Sequence, residues 1–177
     1  MTDRVALNPP SPFVVRWITS LALDFPRGRA LDVACGRGRH TVALAAAGFR
    51  TLGVDLQFDA LFHAREAARA RGFEILIACA DLTTTPLPLD RFQVIVVTRY
   101  LDRQTFPAIC RSLIPGGVLL YETFTENQLR YERGPRSPDH LLAPGELRMM
   151  VRGMDVLFDE EVSAPDAVAR IAARRRR

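Results

Sequence analysis

Short apolar runs alternate along the chain with segments in which apolar residues recur every three or four positions. The first pattern is typical of buried strands and the second of amphipathic helices. The pattern predicts seven strands, at residues 30–33, 51–54, 74–78, 94–97, 118–123, 155–162 and 167–173. It predicts helices at residues 11–23, 41–47, 55–71 and 102–113, with a short helix beginning at Pro144.

The alternation of strands and helices indicates consecutive βαβ units, which build a parallel sheet. The last two strands follow each other with only Ala164-Pro165-Asp166 at the turn, which predicts an antiparallel hairpin. The predicted fold class is therefore α/β: a Rossmann-like, doubly wound sheet of seven mostly parallel strands, closed by a C-terminal hairpin.

The 177 residues suit one domain, in which five parts can be distinguished. Residues 1–28 form a lead-in and helix, and residues 29–125 form the core that would bind a cofactor. Residues 126–150 are a long polar connection of the kind that lies beside a binding site. Residues 151–173 form the closing hairpin, and residues 174–177 are expected to be a solvated basic tail.

Composition narrows the possible functions. All 24 basic residues are arginine, so mechanisms that need a catalytic or phosphate-binding lysine are excluded. The net charge of +4 equals the charge of the last four arginines, so the rest of the chain is neutral. The three cysteines make no metal-ligand pattern, and no metal site is predicted. No apolar run is long enough to span a membrane and no secretory signal is visible, so we expect a cytoplasmic protein.

The first predicted strand ends at an acid, Asp32, and a loop with Gly36 and Gly38 follows it. In open α/β sheets ligands bind beyond the carboxyl ends of the strands, and the first such loop forms the floor of the site. Glycines there let a ligand approach the backbone. The glycines alone fit a tight turn in any α/β protein equally well.

Two further acids follow strands at the same predicted edge of the sheet. Asp55 ends the second strand, where a carboxylate can accept hydrogen bonds from both hydroxyls of a ribose, and where it can also cap the next helix. Asp81 follows the third strand. Three successive strand ends thus deliver an aspartate, which favours a nucleoside-containing cofactor over a plain turn.

A dinucleotide cofactor is the alternative, because nicotinamide enzymes carry the same acid after the second strand. Their first loop needs three glycines and a free helix N-terminus for the pyrophosphate. Here Ala34 and His40 occupy neighbouring positions, and Asp32 would repel phosphate. S-adenosylmethionine has no phosphate and carries an ammonium group, so the loop favours it.

In these motifs the chain resembles class I S-adenosylmethionine-dependent methyltransferases, although Ala34 replaces a usual glycine. The resemblance also rests on residues 92–97 and 113–117, and residues 121–124 and 141–147 resemble a bacterial tellurite-resistance-like or thiopurine-like subgroup. It implies that Asp32 and the following loop hold the methionine end, Asp55 the ribose, and Asp81 with Leu82 the adenine. The full set of cofactor-binding residues that it implies is Asp32, Ala34, Cys35, Gly36, Gly38, Asp55, Leu56, Asp81, Leu82 and Thr98.

The methyl acceptor is expected beyond the fourth and fifth strands and under the long connection. The residues placed to line its pocket are Tyr100, Arg103, Glu122, Arg130, Tyr131, Arg136 and His140. Catalytic roles are predicted for Tyr100, Arg103, Glu122 and His140, with His140 the candidate acid or base. Each has a structural alternative, such as Glu122 as a buried partner of an arginine. His40 and His63 are interpreted as ordinary, partly exposed histidines.

The predicted function is methyl transfer to a small molecule with a soft nucleophile, a thiol or chalcogen, which needs no catalytic base. An RNA or protein acceptor is the first alternative, motivated by Arg170 and the terminal arginines. The sequence lacks the Asn-Pro-Pro-Tyr type of motif after the fourth strand, where residues 98–101 read Thr-Arg-Tyr-Leu, so nucleic acid is not the expected partner. A binding protein that holds the cofactor without turnover is the alternative of another class.

Overall fold

The computed structural model describes residues 6–177, and within them seven strands form one sheet. The strands are β1 (Arg29–Val33), β2 (Arg50–Asp55), β3 (Leu76–Cys79), β4 (Phe92–Thr98), β5 (Leu113–Phe124), β6 (Asp155–Val162) and β7 (Val168–Arg174). Their order is β3-β2-β1-β4-β5-β7-β6. The first five run parallel, and β7 pairs antiparallel with both β5 and β6. The predicted fold class is confirmed.

The helices are α1 (Pro12–Asp24), α2 (Arg39–Ala46), α3 (Phe58–Arg69), α4 (Phe106–Ser112) and α5 (Glu146–Met150), with 3-10 turns at Glu126–Arg130 and Pro138–His140. Two of these helices, α3 and α4, begin later than predicted, because a polar side chain holds the turn before each of them. Helix α3 begins three residues later than predicted, because Asp55 is still in β2 and accepts a hydrogen bond from the Gln57 N–H. Asp102 likewise accepts from the Gln104 N–H in a turn before α4.

The core lies on both faces of the sheet, and β4 shows why its sequence is continuously apolar. Val94 and Val96 pack on one face with residues of α1 and α2. Ile95 and Val97 pack on the other face with residues of α4 and α5. A strand covered by helices on both faces buries every side chain, so it shows no alternation of apolar and polar residues.

The first of the four C-terminal arginines, Arg174, is part of the sheet, whereas Arg176 and Arg177 are exposed beyond it. Arg174 is the last residue of β7, and the Arg175 N–H donates to the Gly117 carbonyl at 2.8 Å. The guanidinium of Arg175 pairs with Asp90, and that of Arg176 with Asp155. Gly117 lies in the part of β5 where the pairing with β4 is irregular, just before the predicted strand at residues 118–123.

No helix within residues 6–177 is long and apolar enough to cross a membrane.

Candidate functional site

The loop between β1 and α2 is tied to the end of β2. The Gly36 N–H donates to the Asp55 carboxylate at 2.7 Å, and the Cys35 N–H donates to the Val54 carbonyl at 3.0 Å. The other oxygen of Asp55 accepts from the Gln57 N–H at 2.9 Å. Asp55 therefore shapes the loop and the turn before α3, but it does not cap that helix, whose N-cap is Gln57.

The two glycines of the loop serve different purposes. Both have positive φ, +54° at Gly36 and +84° at Gly38. A Cβ at Gly38 would lie 2.5 Å from the Cβ of Ala64, so α2 can approach α3 only because this residue has no side chain. A Cβ at Gly36 would meet nothing within 4 Å, because Gly36 faces an open cavity. Gly36 is thus the place where a ligand can reach the backbone.

Asp32 is completely buried beneath the loop. One carboxylate oxygen accepts a hydrogen bond from the Thr41 hydroxyl at 2.6 Å, and among the described residues the other oxygen has no partner. Burial raises the pKa of Asp32 to about 7. The carboxyl fixes the start of α2 from below, and its contact with the methionine end of a cofactor stays a prediction.

A cavity of about 300 Å³, the first cavity, opens above this loop. Its walls come from the chain before α1, the loop after β1, the start of α2 and the end of β4. They are Ala6, Leu7, Asn8, Ala34, Cys35, Gly36, Arg37, Arg39, His40, Thr98 and Arg99. Ala34, Cys35, Gly36 and Thr98 were predicted here, whereas the N-terminal wall and the arginines were not. A Pro-rich lead-in carries no sequence pattern that would place it over a site.

His40 is buried in the wall of the first cavity, so the prediction of a partly exposed histidine is wrong for this residue. Its Nε2 accepts the Ser11 N–H at 3.0 Å, and its Nδ1 lies 3.1 Å from the Thr98 hydroxyl. Because Nε2 accepts, the ring proton is assigned to Nδ1. Burial, followed by the charges of Arg39 and Arg99, lowers the pKa of His40 to about 3, so the ring is neutral. In the sequence, the only indication that His40 is buried was its position four residues before the apolar Leu44, on the same face of the helix.

The Cys35 thiol in the same wall is buried as well. Burial, and then the neighbouring Asp32 carboxyl, raise the pKa of Cys35 well above its usual range. The sulfur therefore stays protonated and is a weak nucleophile at neutral pH.

A second cavity of about 230 Å³ adjoins the first. It is lined by Pro9, Pro10, Ser11, Pro12, Arg39, Arg99, Glu122, Pro165, Asp166, Val168 and Arg170. Arg39 and Arg99 line both cavities. Glu122 accepts hydrogen bonds from the Arg170 Nε at 2.6 Å and from the Ser11 hydroxyl at 3.0 Å. Glu122 is thus the buried partner of an arginine, the alternative given for it above.

The predicted adenine residues lie outside both cavities. Asp81 is exposed, and one of its oxygens accepts from the Thr83 N–H at 2.9 Å and the Thr83 hydroxyl at 2.6 Å. These hydrogen bonds lower the pKa of Asp81. Leu82 packs partly against the core, and Leu56 is exposed after β2. The roles of these residues with adenine stay predictions.

Of the seven residues predicted on the acceptor side, Glu122 alone reaches a wall of either cavity. Arg103 forms a bidentate ion pair with Glu146 and donates to the Leu141 carbonyl at 3.0 Å, which ties down the long connection. His140 is exposed in a 3-10 turn. Tyr100 is half-buried against the core. The geometry gives these residues structural contacts and no support for the predicted catalytic roles.

The remaining three belong to the long connection. The Tyr131 hydroxyl donates to the Ser163 carbonyl, and Arg136 donates to the Leu129 carbonyl at 3.3 Å. Arg130 is exposed. Within residues 6–177, no three His, Cys, Asp or Glu side chains are grouped closely enough to hold a metal ion.

Comparison with known proteins identifies the family to which the chain is similar. Residues 30–117 match the model of a family described as a methyltransferase domain. A ubiquinone biosynthesis O-methyltransferase of Bordetella avium is 26% identical over 164 residues, covering 80% of this chain and 67% of that protein. The protein of the same name from Methylococcus capsulatus is 32% identical over 157 residues, covering 84% of this chain and 61% of that protein.

Among solved structures, a S-adenosylmethionine-dependent methyltransferase from Clostridium acetobutylicum has the same fold. Its TM-score is 0.75 at 15% identity, covering 96% of this chain and 94% of that chain. The family model includes the β1–α2 loop, Asp55 and Thr98 but ends before Glu122. The first cavity is therefore built mainly from the part of the chain that matches the family, and much of the second cavity is not.

Proposed function

The chain belongs to the class I S-adenosylmethionine-dependent methyltransferase superfamily, and from that premise we propose that it methylates a small molecule with a readily ionised nucleophile, such as a thiol or chalcogen. S-adenosylmethionine is the cofactor of this enzyme family, and its sulfonium supplies an activated methyl group when bound.

The loop that lines the first cavity and Asp55, which binds that loop from outside the cavity wall, fit this cofactor. Gly36 leaves the loop backbone open to a ligand, because no atom occupies the space where its side chain would be. Each oxygen of Asp55 already accepts one backbone N–H, and a carboxylate has about four acceptor positions. Asp55 therefore keeps the capacity to accept hydrogen bonds from ribose hydroxyls while it holds the loop in place.

The observation that carries the proposal is the lack of a free base among the described residues that line the first cavity. His40 uses both ring nitrogens in hydrogen bonds and is neutral, and the Cys35 thiol is protonated. Asp32 below them has no exposed surface. These residues can position an acceptor and exclude water, but none is free to take a proton from it. An acceptor that ionises in water needs no such base.

An acidic hydroxyl is the second candidate for the nucleophile. The two relatives described above are named O-methyltransferases, and that name indicates an oxygen acceptor for those proteins. A phenol loses its proton more readily than an alkyl alcohol or an amine does. A phenol therefore also suits a site without a base.

The arginines that motivated a nucleic-acid acceptor are mostly paired within the protein. Arg175 pairs with Asp90, Arg176 pairs with Asp155, and Arg170 pairs with Glu122. These three cations therefore have ion-pair partners within the molecule, and the adjoining cavities have the size of a small-molecule site.

A panel assay tests the acceptor. Methyl transfer from radiolabelled S-adenosylmethionine would be measured to thiophenol, catechol, aniline and total RNA at the same concentration. We expect the thiol to react fastest, the phenol next, and the amine and RNA at background. Preferential transfer to the amine or to RNA would contradict the proposal.

The cofactor assignment has its own test in the Asp55→Ala variant. Loss of two charge-assisted hydrogen bonds should weaken S-adenosylhomocysteine binding by about 100-fold or more, measured by calorimetry. Circular dichroism should show the fold retained. Asp59→Ala removes an exposed acid of α3 and serves as the matched control. An unchanged affinity in Asp55→Ala would exclude the ribose contact.

A further inference from the structure

Two arginines meet where the two cavities join. Arg39 is the first residue of α2 and Arg99 follows β4 directly, and both line both cavities. Within the described part of the chain Arg39 forms no ion pair, and its guanidinium contacts only the Pro9 carbonyl, at 3.4 Å. Burial and the neighbouring charge of Arg99 lower the pKa of Arg39. Two cations thus face the same space, and one of them, Arg39, has no direct ion-pair partner among the described residues, although the Glu122 carboxylate acts on its charge from a distance.

The backbone of Arg99 is held in an unfavourable conformation. Its φ is +56°, in the left-handed region that costs a non-glycine residue about 1 kcal/mol or more. Its guanidinium lies over the Phe124 ring, 5.6 Å from the centroid, and 3.6 Å from the Asp166 carboxylate. Strained residues of this kind concentrate at binding sites, where the surrounding structure holds them in place. The strained backbone here directs a charged side chain to the entrance of the second cavity.

The carboxylates of the second cavity are already paired. Glu122 pairs with Arg170 at 2.6 Å, and Asp166 pairs with Arg133 at 2.9 Å, a residue outside the cavity wall. The wall contains three arginines and two carboxylates, so its own charges leave one positive charge without a match. An anion between Arg39 and Arg99 would supply the missing charge.

We propose that the second cavity binds a carboxylate of the methyl acceptor between Arg39 and Arg99, so that the enzyme methylates small organic acids. This inference rests on the proposed function and specifies its substrate class. Guanidinium groups bind carboxylates through paired, charge-assisted hydrogen bonds. The apolar faces of Pro9, Pro12 and Val168 in the same wall suit an organic acid better than inorganic phosphate.

The placement of the arginines also orients the acceptor. Because Arg39 and Arg99 line both cavities, an acid group bound between them leaves the rest of the molecule facing Thr98 and the loop of the first cavity. The nucleophile would then be held beside the cofactor by a charge contact at its far end. This is how remote binding contacts position a reacting atom.

Benzoate and benzamide are the probes for the site, since they differ in charge and hardly in shape. Binding of each to the protein loaded with S-adenosylhomocysteine would be measured by calorimetry. We expect benzoate to bind at least about tenfold more tightly than benzamide. Arg39→Gln and Arg99→Gln should each weaken benzoate binding by about tenfold, a larger loss than either variant causes in the affinity for S-adenosylhomocysteine. Arg91→Gln, which removes an exposed charge beside the opposite end of β4, is the matched control and should change neither affinity.

The same preference should appear in turnover. The ratio kcat/KM for 3-mercaptobenzoate should exceed that for thiophenol by about tenfold or more, and Arg99→Gln should remove the difference.

Three results would overturn the inference: equal binding of benzoate and benzamide, inorganic phosphate that competes as well as benzoate, or arginine variants that lose S-adenosylhomocysteine and keep benzoate. The last would assign the arginines to the cofactor. Benzoate binding to a protein that does not bind S-adenosylhomocysteine would overturn the proposed function and leave the carboxylate site intact.

Discussion

The two cavities are neighbours, but they are built in different ways. Much of the first is a single loop between β1 and α2, together with the end of the adjacent strand β4. The second draws its walls from residues 9–12, from Glu122 in β5 and from residues 165–170 around the start of β7. Local sequence therefore specifies much of the first cavity, and contacts between distant segments specify the second.

The polar groups of the two cavities also differ. Below and beside the first cavity, burial opposes charge on Asp32 and His40. In the second cavity the carboxylates are charged partners of arginines. The comparison indicates that burial disfavours charge at the floor of the first cavity, whereas the second cavity holds paired charges; Arg39 and Arg99 are shared by the two. The following predictions test that difference.

The largest expected effect is on the loop of the first cavity. Gly38→Ala places a Cβ against Ala64 in a left-handed backbone, so we expect the free energy of unfolding to fall by about 3 kcal/mol. Gly36→Ala has the same kind of backbone but open space, and should lose only about 1 kcal/mol. Urea denaturation of both variants measures the difference. Equal losses would mean that backbone strain, and not helix packing, fixes the loop.

In the second cavity, Glu122→Gln should lower the free energy of unfolding by about 2 kcal/mol, because it leaves the Arg170 guanidinium without its buried partner. Glu160→Gln is the matched control: Glu160 also pairs with Arg170, but at 3.2 Å and on the surface, so the loss should be below about 1 kcal/mol. The affinity of Glu122→Gln for S-adenosylhomocysteine, measured by calorimetry, should be unchanged. A parallel loss of cofactor affinity would show that the two cavities are not independent.

The neutral groups at the first cavity predict opposite pH dependences. Asp32 has a pKa raised from 3.8 to about 7, so the native state holds a proton that the unfolded state has lost, and this contribution to stability falls as pH rises from about 4 to 7. His40 has a pKa lowered from 6.5 to about 3, so its contribution rises with pH between about 3 and 6.5.

Replacing either residue should remove its contribution to the pH dependence of stability and leave the contribution of the other. Relative to the parent protein, Asp32→Asn should gain stability as pH rises from 4.5 to 6.5, and His40→Gln should lose it, each on the order of 1 kcal/mol or more. Denaturation at several pH values gives these slopes. Slopes of the same sign in both variants would contradict the assignment of both groups as neutral.

The smallest effect is expected at the long connection. Arg103→Ala should reduce stability by about 1 kcal/mol or less, because its ion pair with Glu146 is partly exposed, and should accelerate proteolysis between residues 126 and 145. Arg136→Ala removes a weaker contact of the same segment and is the control. The kcat/KM of Arg103→Ala should stay within about twofold. A much larger fall would restore the acceptor role that the sequence predicts for Arg103.

Sequence reasoning located the elements better than the side chains of the acceptor site. The strands lay within a few residues of the predicted ranges, because apolar periodicity reports directly which face of an element is buried. The Gly36 loop and Asp55 could be found because their chemistry lies within one βαβ unit. Arg99 gave no such signal, since its position depends on a left-handed backbone and on an ion pair with Asp166, 67 positions later, both visible only in the fold.

By itself the sequence determined the sheet, the family and the cofactor loop, because hydrophobic periodicity and glycine positions act over a few residues. Only the tertiary structure decided which charges face the two cavities: it placed Arg39 and Arg99 where the cavities join, and Arg103 and His140 away from their walls. It also showed that His40 is buried and neutral. The physical reason is that charge recognition and pKa depend on burial and on the nearest partner, and both are set by segments far apart in the chain.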